Sequence, residues 1–200
     1  MAEFLFMAAG YLFGSIPWGF LLCKIFTKKD VRKYGSGNIG ATNVYRVAGG
    51  FPAACVLILD IAKGFLPVYF AKSYLIFPPV YLLATGLATV LGHNFSIFLR
   101  GKGGKGVATS FGVILGLFPG AALLSFVIWA ALTLLTRYVS AGSISAAFAL
   151  PFFIQAFYKD AFFTSAGIII FLLILYGHRK NIKRIFSGKE NRIKFPWEKR

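Results

Sequence analysis

Long apolar runs recur along almost the whole chain, and they constrain its fold more than any other feature. The mean hydropathy is +0.72, and 58% of the residues are hydrophobic while only 14% are charged. A soluble domain carries about 25% charged residues, whereas a run of about 20 apolar residues can cross a bilayer as a helix. The sequence therefore predicts an all-α integral membrane protein, a single transmembrane domain over residues 1–200.

Most of the apolar runs have the length of one span. One run, Val107–Thr136, has two interpretations, because a single helix of this length measures about 45 Å against about 30 Å of hydrocarbon. The turn-forming pair Pro119-Gly120 lies near its middle. The run is therefore one long kinked helix or two short ones. The other predicted spans are Phe4–Phe26, Phe51–Ala71, Pro78–Leu99, Ser143–Tyr158 and Ala161–Gly177.

The positions of the 22 Lys and Arg residues favour two short helices. With seven spans and the N-terminus outside, Lys72 and Lys159 lie in outer loops, Lys63 lies within a span, and the other cations lie at the cytoplasmic face. With six spans, the nine cations from Arg179 to Arg200 would lie outside, against the positive-inside rule. The sequence therefore predicts a seven-transmembrane-helix bundle with its C-terminus inside and its polar loops converging at the cytoplasmic face.

Two of the predicted cytoplasmic loops are rich in glycine and in cations. YGSGNIGATNVYR covers Tyr34–Arg46, and RGKGGKGVATS covers Arg100–Ser110. Both contain G-x-G-x-x-G, but neither follows a strand or precedes an acidic residue by about 20 positions, which excludes a dinucleotide-binding fold. Each loop leads instead into a helix start, where amides and the helix dipole attract anions. We predict two phosphate-binding loops; the alternative is tight turns with topogenic cations.

Polar residues near the last spans have two interpretations each. The last span ends in YGHRKNIKRI, where His178, Asn181 and Arg184 or Ile185 share one helix face. His178 is either an interfacial anchor or a group that binds or deprotonates a hydroxyl. Ser143 is either a helix cap or a substrate contact.

The remaining polar and sulfur side chains indicate packing more than chemistry. Asp60 and Lys63 lie three residues apart within the second span and are expected to pair inside the bundle. His93 shares the ambiguity of the other histidine, while Cys23 and Cys55 are expected to be buried thiols without a disulfide. The sequence contains no cluster with metal-ligand spacing, so we predict neither a metal nor a cofactor.

Three blocks, GSGNIGATNVYR, GKGGKGVAT and HRKNIKR, occur in this order, and together they resemble the bacterial acyl-phosphate:glycerol-3-phosphate acyltransferase family. The resemblance extends over nearly the whole chain and includes LDIAKG in the second span. It implies transfer of a fatty acyl group from acyl phosphate to the 1-hydroxyl of glycerol 3-phosphate, giving lysophosphatidic acid and inorganic phosphate. The H-x-x-x-x-D box of other acyltransferases is absent, because Phe98 and Lys183 follow His93 and His178 at that spacing.

The resemblance also implies the residues of the site. Ser36, Arg46 and Lys105 would hold glycerol 3-phosphate, and a glycine cradle would hold the phosphate of the acyl donor. The predicted catalytic residues are His178, Ser143 and Asn181, which would orient the glycerol hydroxyls; either His178 or the substrate's own phosphate would be the base. The predicted substrate-binding residues are Ser36, Gly37, Asn38, Gly40, Thr42, Asn43, Arg46, Gly103, Gly104, Lys105 and Gly106.

The implied location is the bacterial plasma (inner) membrane, with the active site facing the cytoplasm and the chain acting as a monomer without a nucleic-acid partner. The segment Lys189–Arg200 is either an amphipathic lipid-facing segment or disordered. The alternative function is a transporter of a phosphorylated anionic solute, which should show repeated halves or broken spans with polar residues at mid-membrane. A non-catalytic lipid-binding protein would explain the charge but not three ordered blocks.

Overall fold

The computed structural model describes residues 1–193, and every regular element within them is helical. The chain divides into two compact units, of which the first covers Met1–Pro119 and the second begins at Gly120. The prediction for Lys189–Arg200 falls mostly on residues 194–200, which lie outside the described residues. An all-helical fold is thus confirmed for residues 1–193, while the prediction of one domain stays a prediction.

The first unit contains helices whose pairing brings distant parts of the sequence together. α1 packs along α5, and α4 packs along α6. The first predicted span is broken after Ser15, because Pro17 lacks an amide hydrogen and interrupts the helical hydrogen bonds. The helices are α1 (Ala2–Ser15), α2 (Trp18–Thr27), α3 (Ala41–Ala48), α4 (Gly50–Ser73), α5 (Pro79–Asn94) and α6 (Val107–Leu117).

Helices α4 and α6 meet backbone to backbone, with no room for a side chain at two glycines. A Cβ atom on Gly64 would overlap the carbonyl oxygen of Thr109, and one on Gly112 would overlap that of Ile61. Small residues allow this close approach. In a membrane, where the hydrophobic effect does not drive helices together, such close packing favours their association. The packing fixes the start of α6, and so the end of the loop before it, against α4.

The second unit contains the remaining helices. The run Val107–Thr136 forms two helices separated at Phe118, which confirms the second interpretation of that run. α8 begins four residues before the predicted start at Ser143, whereas α9 has the predicted bounds. The axis of α10 is bent by 61° from that of α9. The helices are α7 (Pro119–Thr136), α8 (Val139–Tyr158), α9 (Ala161–Gly177) and α10 (Arg179–Phe186).

Several of these helices have the length and composition of membrane spans. Among residues 1–193, five segments qualify, and the bent pair α9–α10 would make six. α6 has 11 residues, about half the length that a span needs. The count of seven spans therefore stays a prediction. The five segments are Ala2–Thr27, Gly50–Ser73, Pro79–Leu99, Pro119–Thr136 and Val139–Tyr158.

Two predictions about buried residues are tested directly by the side chains. Asp60 and Lys63 form an ion pair of 2.9 Å in which both side chains are at most 4% exposed, which confirms the predicted pairing. Cys23 and Cys55 are both free thiols, as predicted. Cys55 is only half-buried, so the expectation that it is a core residue is wrong.

Candidate functional site

The first glycine loop, residues 34–40, is organised by one amide side chain. Asn43 lies in the first turn of α3 and is 2% exposed. Its Oδ1 accepts a hydrogen bond from the Ser36 amide at 2.8 Å, and its Nδ2 donates to the carbonyl oxygens of Val31, Tyr34 and Asn38 at 3.2, 3.0 and 2.9 Å. The side chain therefore organises the loop, while the predicted substrate-binding role of Asn43 stays a prediction.

Other predicted ligands lie on the accessible side of this loop. Ser36 and Thr42 are half-buried, and Arg46 is exposed. Gly40 is the N-cap of α3, and because it has no side chain it cannot cap the first-turn amides. Its own amide donates to Asn38 Oδ1 at 2.7 Å, which fixes the turn into the helix. Such a helix start beside a cation suits an anionic group.

An ion pair at the edge of the loop removes one negative charge from its surroundings. Asp30 accepts hydrogen bonds from Arg32 Nε at 2.9 Å and from Nη2 at 2.7 Å. These hydrogen bonds lower the pKa of the Asp30 carboxyl to about 2. The Arg32 guanidinium also lies 4.6 Å from the centre of the Phe20 ring. Arg32 is thus occupied by structural contacts.

The second glycine loop, residues 100–106, lies across the C-terminal end of α5. The amide of Gly103 donates to the Asn94 carbonyl oxygen at 3.1 Å, and the amide of Gly104 donates to that of His93 at 3.0 Å. These two bonds satisfy carbonyls that the end of a helix leaves without intrahelical partners. The loop is therefore seated on α5 by backbone hydrogen bonds.

The second loop ends in a glycine cap beside a lysine. Gly106 is the N-cap of α6 and has φ 80°, a left-handed conformation that favours glycine. Lys105 is half-buried and Lys102 is exposed. A lysine next to a helix start without a side-chain cap can place its charge on an anion held by the amides.

One buried cluster supports both glycine loops. Leu99, which directly precedes the second loop, is 7% exposed and belongs to the same cluster as Val31, Ile39 and Val44, which flank the first. The first unit therefore brings the two loops near one another, although about 60 residues separate them in the sequence. Two helix starts with nearby cations are the arrangement expected for two anionic groups.

In the second unit, a carboxylate joins α10 to α8. Glu190 accepts hydrogen bonds from Ser140 Oγ at 2.8 Å, Asn181 Nδ2 at 2.6 Å and Arg184 Nε at 2.8 Å. Burial opposes ionisation of the Glu190 carboxyl, but these hydrogen bonds outweigh burial and lower its pKa. Asn181 is thus held in place by an acid, while its predicted catalytic role stays a prediction.

His178 ends α9 and is 3% exposed. Its Nδ1 lies 2.8 Å from the carbonyl oxygen of Ile174. A carbonyl oxygen only accepts hydrogen bonds, so Nδ1 carries a proton in this contact, and in the neutral form of the ring the lone pair lies on Nε2. The tautomer is the one that a general base acting through Nε2 requires.

Ser143 does not cap α8. It lies inside that helix, whose N-cap is Tyr138, and its Oγ donates to the Val139 carbonyl oxygen at 2.8 Å. The capping interpretation is therefore wrong, because the helix begins four residues before the predicted start. A substrate contact by Ser143 stays a prediction.

Two organising residues escaped the sequence reasoning, Glu190 and the loop-forming role of Asn43. Glu190 carried a signal, because it is one of six acidic residues in a chain with 22 Lys and Arg. An acid so rare is expected to have a specific cationic partner. For Asn43 the signal was weaker. An Asn near a helix start either contacts a ligand or bonds to the neighbouring backbone, and the local sequence is the same in both cases.

This chain is similar to known proteins over nearly its whole length. The family described as glycerol-3-phosphate acyltransferase matches residues 4–188. A glycerol-3-phosphate acyltransferase of Fusobacterium nucleatum is 45% identical over 98% of this chain and 100% of the relative. The one of Thermus thermophilus is 45% identical over 92% of this chain and 91% of the relative. The level of identity is far above what unrelated membrane proteins share.

Two solved structures have the same fold. Both are of PlsY, described as an integral membrane glycerol 3-phosphate acyltransferase, and both are 40% identical to this chain. The glycerol 3-phosphate form matches with a TM-score of 0.91 and the lysophosphatidic acid form with 0.88, each over 97% of this chain and 96% of PlsY. The family match, the similarity to an integral membrane enzyme and the three sequence blocks all lead to the same conclusion. This chain belongs to the glycerol-3-phosphate acyltransferase family of PlsY.

Proposed function

We propose that this protein transfers an acyl group from acyl phosphate to the 1-hydroxyl of glycerol 3-phosphate. The observation that carries the proposal is the pair of glycine loops on one buried cluster, each leading into a glycine-capped helix. Both substrates contain a phosphate, and each loop offers helix-start amides to one. The forms in which PlsY was solved, with glycerol 3-phosphate and lysophosphatidic acid, support the acceptor and the product. The family match favours this enzyme over the transporter alternative.

The roles of the residues follow from their chemistry. Ser36, Arg46 and Lys105 bind the phosphate of glycerol 3-phosphate by charge and hydrogen bonds. The backbone amides at the starts of α3 and α6 bind the phosphate of the donor, whose acyl chain lies among apolar helices. His178, Asn181 and Ser143 orient the glycerol hydroxyls. The amides of Gly37, Gly40, Gly103 and Gly104 donate to groups within the protein and so give the two loops their shape.

The chemical step needs no covalent acyl-enzyme. The 1-hydroxyl oxygen attacks the acyl carbonyl carbon, and the bond from that carbon to the phosphate oxygen breaks. Phosphate leaves with the bonding electrons, and the hydroxyl proton passes to His178 Nε2 or to a substrate phosphate oxygen. Because an acyl phosphate is already activated, binding both substrates and stabilising the leaving charge supply most of the rate. The step uses neither a metal nor a cofactor.

We further propose the membrane arrangement in which seven helices cross the plasma (inner) membrane, with the N-terminus outside and the site facing the cytoplasm. The positive-inside rule supports it, because 22 Lys and Arg residues then lie almost entirely on one side. α6 crosses as a short span, where its neighbour α4 shields it from lipid. The chain acts as a monomer.

The test is phosphate release by the purified protein in lipid vesicles. Palmitoyl phosphate is supplied with and without glycerol 3-phosphate. Palmitoyl-CoA is supplied in parallel, and lysophosphatidic acid is measured in both arms because transfer from palmitoyl-CoA releases CoA and no phosphate. We expect release that requires both glycerol 3-phosphate and acyl phosphate. Lys105→Ala should lower kcat/KM for glycerol 3-phosphate about 100-fold, because it removes a charge-assisted hydrogen bond.

Lys72→Ala is the matched control, because Lys72 is an exposed lysine at the opposite end of the neighbouring span and should leave the rate unchanged. Absence of lysophosphatidic acid with either donor, from protein with a normal melting temperature, would contradict the proposed activity. Equal formation of lysophosphatidic acid from palmitoyl-CoA would contradict the proposed donor.

A further inference from the structure

A buried polar cluster lies in the first unit, in the part of the chain that the proposed chemistry does not use. Its members are Asp60 and Lys63 on α4 and His93 on α5, and they are 2%, 1% and 4% exposed. Lys63 Nζ lies 2.9 Å from Asp60 Oδ1, and His93 Nδ1 lies 3.7 Å from the same oxygen. We call these three residues the buried triad.

Packing alone does not explain the buried triad. Removing two charges from water costs several kcal/mol for each ion, and apolar residues of similar size usually replace such pairs without loss of stability. Inside a membrane the cost is higher, and ionisable residues there are functional candidates by default. We therefore expect the triad to have a function in addition to filling the space between α4 and α5.

One end of the buried triad reaches the second glycine loop. A Cβ atom on Gly104 would overlap His93 Nε2, so the imidazole edge packs directly against the backbone of that glycine. The backbone carbonyl of the same histidine accepts the Gly104 amide at 3.0 Å. His93 thus contacts the loop through both its ring and its main chain, one residue before Lys105.

The other end of the buried triad reaches the break between α1 and α2. Lys63 Nζ donates to the carbonyl oxygen of Ile16 at 2.9 Å, directly before Pro17. At the same break, the carbonyl oxygen of Ser15 accepts from Ser96 Oγ at 2.5 Å. The break and the end of α5 are therefore tied together by polar contacts.

The helix that carries two members of the buried triad also fixes the far end of the loop. Gly64 follows Lys63 directly and packs against the backbone of Thr109 in the first turn of α6. The second glycine loop is thus seated on α5 at its middle and on α4 at its exit. A rotation of α4 or of the His93 ring would shift the loop relative to both.

We infer that Asp60, Lys63 and His93 are positioning residues that hold the second glycine loop, and with it Lys105, in the geometry that binds substrate phosphate. Asp60 and Lys63 fix the ring of His93, and the ring sets the position of Gly104. This inference rests on the proposed function for its kinetic consequence. Its structural consequence, a rigid loop, is measurable in the absence of activity.

The first experiment compares two replacements of His93 in vesicles. Asn occupies the place of Nδ1 near Asp60 but does not reach Gly104, whereas Gln extends to the place of Nε2. We expect His93→Asn to raise KM for glycerol 3-phosphate about tenfold with kcat changed less than about threefold, and His93→Gln to restore most of the loss. Amide hydrogen exchange of a peptide covering residues 101–106 should be about tenfold faster in His93→Asn only.

Thr85→Val is the matched control, because Thr85 lies on the same helix, is fully buried and is far from the loop in sequence. It should leave loop exchange and KM unchanged. If the melting temperature and kcat of His93→Asn both fell in proportion to the rise in KM, the variant would be generally destabilised, and the positioning role would be contradicted. Unchanged loop exchange in His93→Asn would overturn the inference.

A second experiment remains decisive if His93→Asn does not fold. Gly104→Ala adds a Cβ that meets the ring, and His93→Ala removes the ring. If their contact positions the loop, the double variant should have a lower KM than the two single effects multiplied together, by about fivefold or more. Multiplicative effects would overturn the inference. If the wild-type protein shows no transferase activity, the proposed function fails, and loop exchange in the same variants still decides the inference.

Discussion

Asn43 uses its side-chain amide on four backbone groups, three in the first glycine loop and one at Val31 just before it. This pattern needs an acceptor oxygen and a separate donor nitrogen with two hydrogens, which among side chains of this size only Asn provides. Asn38 has a simpler task, because its Oδ1 only accepts from the Gly40 amide. A carboxylate could therefore take over the role of Asn38, which only accepts, but not that of Asn43, which also donates.

Asn43→Asp should lower the free energy of unfolding by about 3 kcal/mol, because a buried carboxylate faces three carbonyl oxygens to which it cannot donate. Asn38→Asp keeps the acceptor and should change the melting temperature little. Thermal unfolding in the same detergent, followed by near-UV circular dichroism, compares them. Equal melting temperatures for the two variants would show that Asn43 does not organise the loop.

At the scale of elements, one carboxylate links α10 to α8 by hydrogen bonds. Glu190 receives hydrogen bonds from Ser140, Asn181 and Arg184, and its side chain is 5% exposed. α10 has only eight residues, which is too short for a stable isolated helix. The orientation of Asn181 therefore follows from Glu190, although the two residues are nine positions apart.

The lowered pKa of Glu190 makes this attachment sensitive to pH. Because the pKa of the Glu190 carboxyl is lower in the folded state than its usual value of 4.5, the ionised carboxyl stabilises the folded state at pH values above 4.5. This stabilisation is lost as the pH falls through the folded-state pKa. We expect the melting temperature to fall below about pH 4.5, and Glu190→Gln to remove part of that dependence. At pH 7 the same change should cost about 2 kcal/mol, because Arg184 loses its charged partner.

Melting curves of the wild type and Glu190→Gln between pH 3.5 and pH 7 test this. Glu3→Gln is the control, because Glu3 pairs with the N-terminal amine at the surface, where water screens the pair, and the change should leave the curve almost unchanged. Parallel curves for the wild type and Glu190→Gln would contradict the expectation.

At the scale of the whole molecule, the number of spans decides on which side the C-terminus lies. Six of the required segments have the length and composition of spans, counting the bent pair α9–α10, and α6 is the short one. Lys72 lies outside under both counts, whereas residue 187 lies inside with seven spans and outside with six. The charge distribution predicts seven.

Single cysteines test the span count in a background carrying Cys23→Ala and Cys55→Ala. In intact cells, a membrane-impermeant maleimide should label Lys72→Cys at once and Ser187→Cys only after the membrane is permeabilised, because a charged reagent does not cross the bilayer. Both positions are exposed, so burial does not limit labelling. Labelling of both cysteines in intact cells would exclude seven spans with this orientation.

Local patterns were sufficient for the elements and for the type of site. Apolar runs longer than a soluble domain tolerates predicted the outer bounds of the first two spans and of α9 within a few residues, but not the break of the first span before Pro17. The Pro119-Gly120 pair predicted a division that the structure has at Phe118. The glycine loops and the ion pair of Asp60 with Lys63 followed from spacing, because residues three or four apart on a helix must face one another.

The sequence by itself determined that this chain is helical, that it lies in a membrane and which segments are candidates for binding phosphate, because hydropathy, charge and glycine content are local properties. Only the tertiary structure decided which polar side chains are free to act on a ligand and which hold the protein together. Asn43, Glu190 and His93 find their partners on other elements, at separations that no spacing rule encodes. The same residue type serves either purpose, and the packing of helices selects between them.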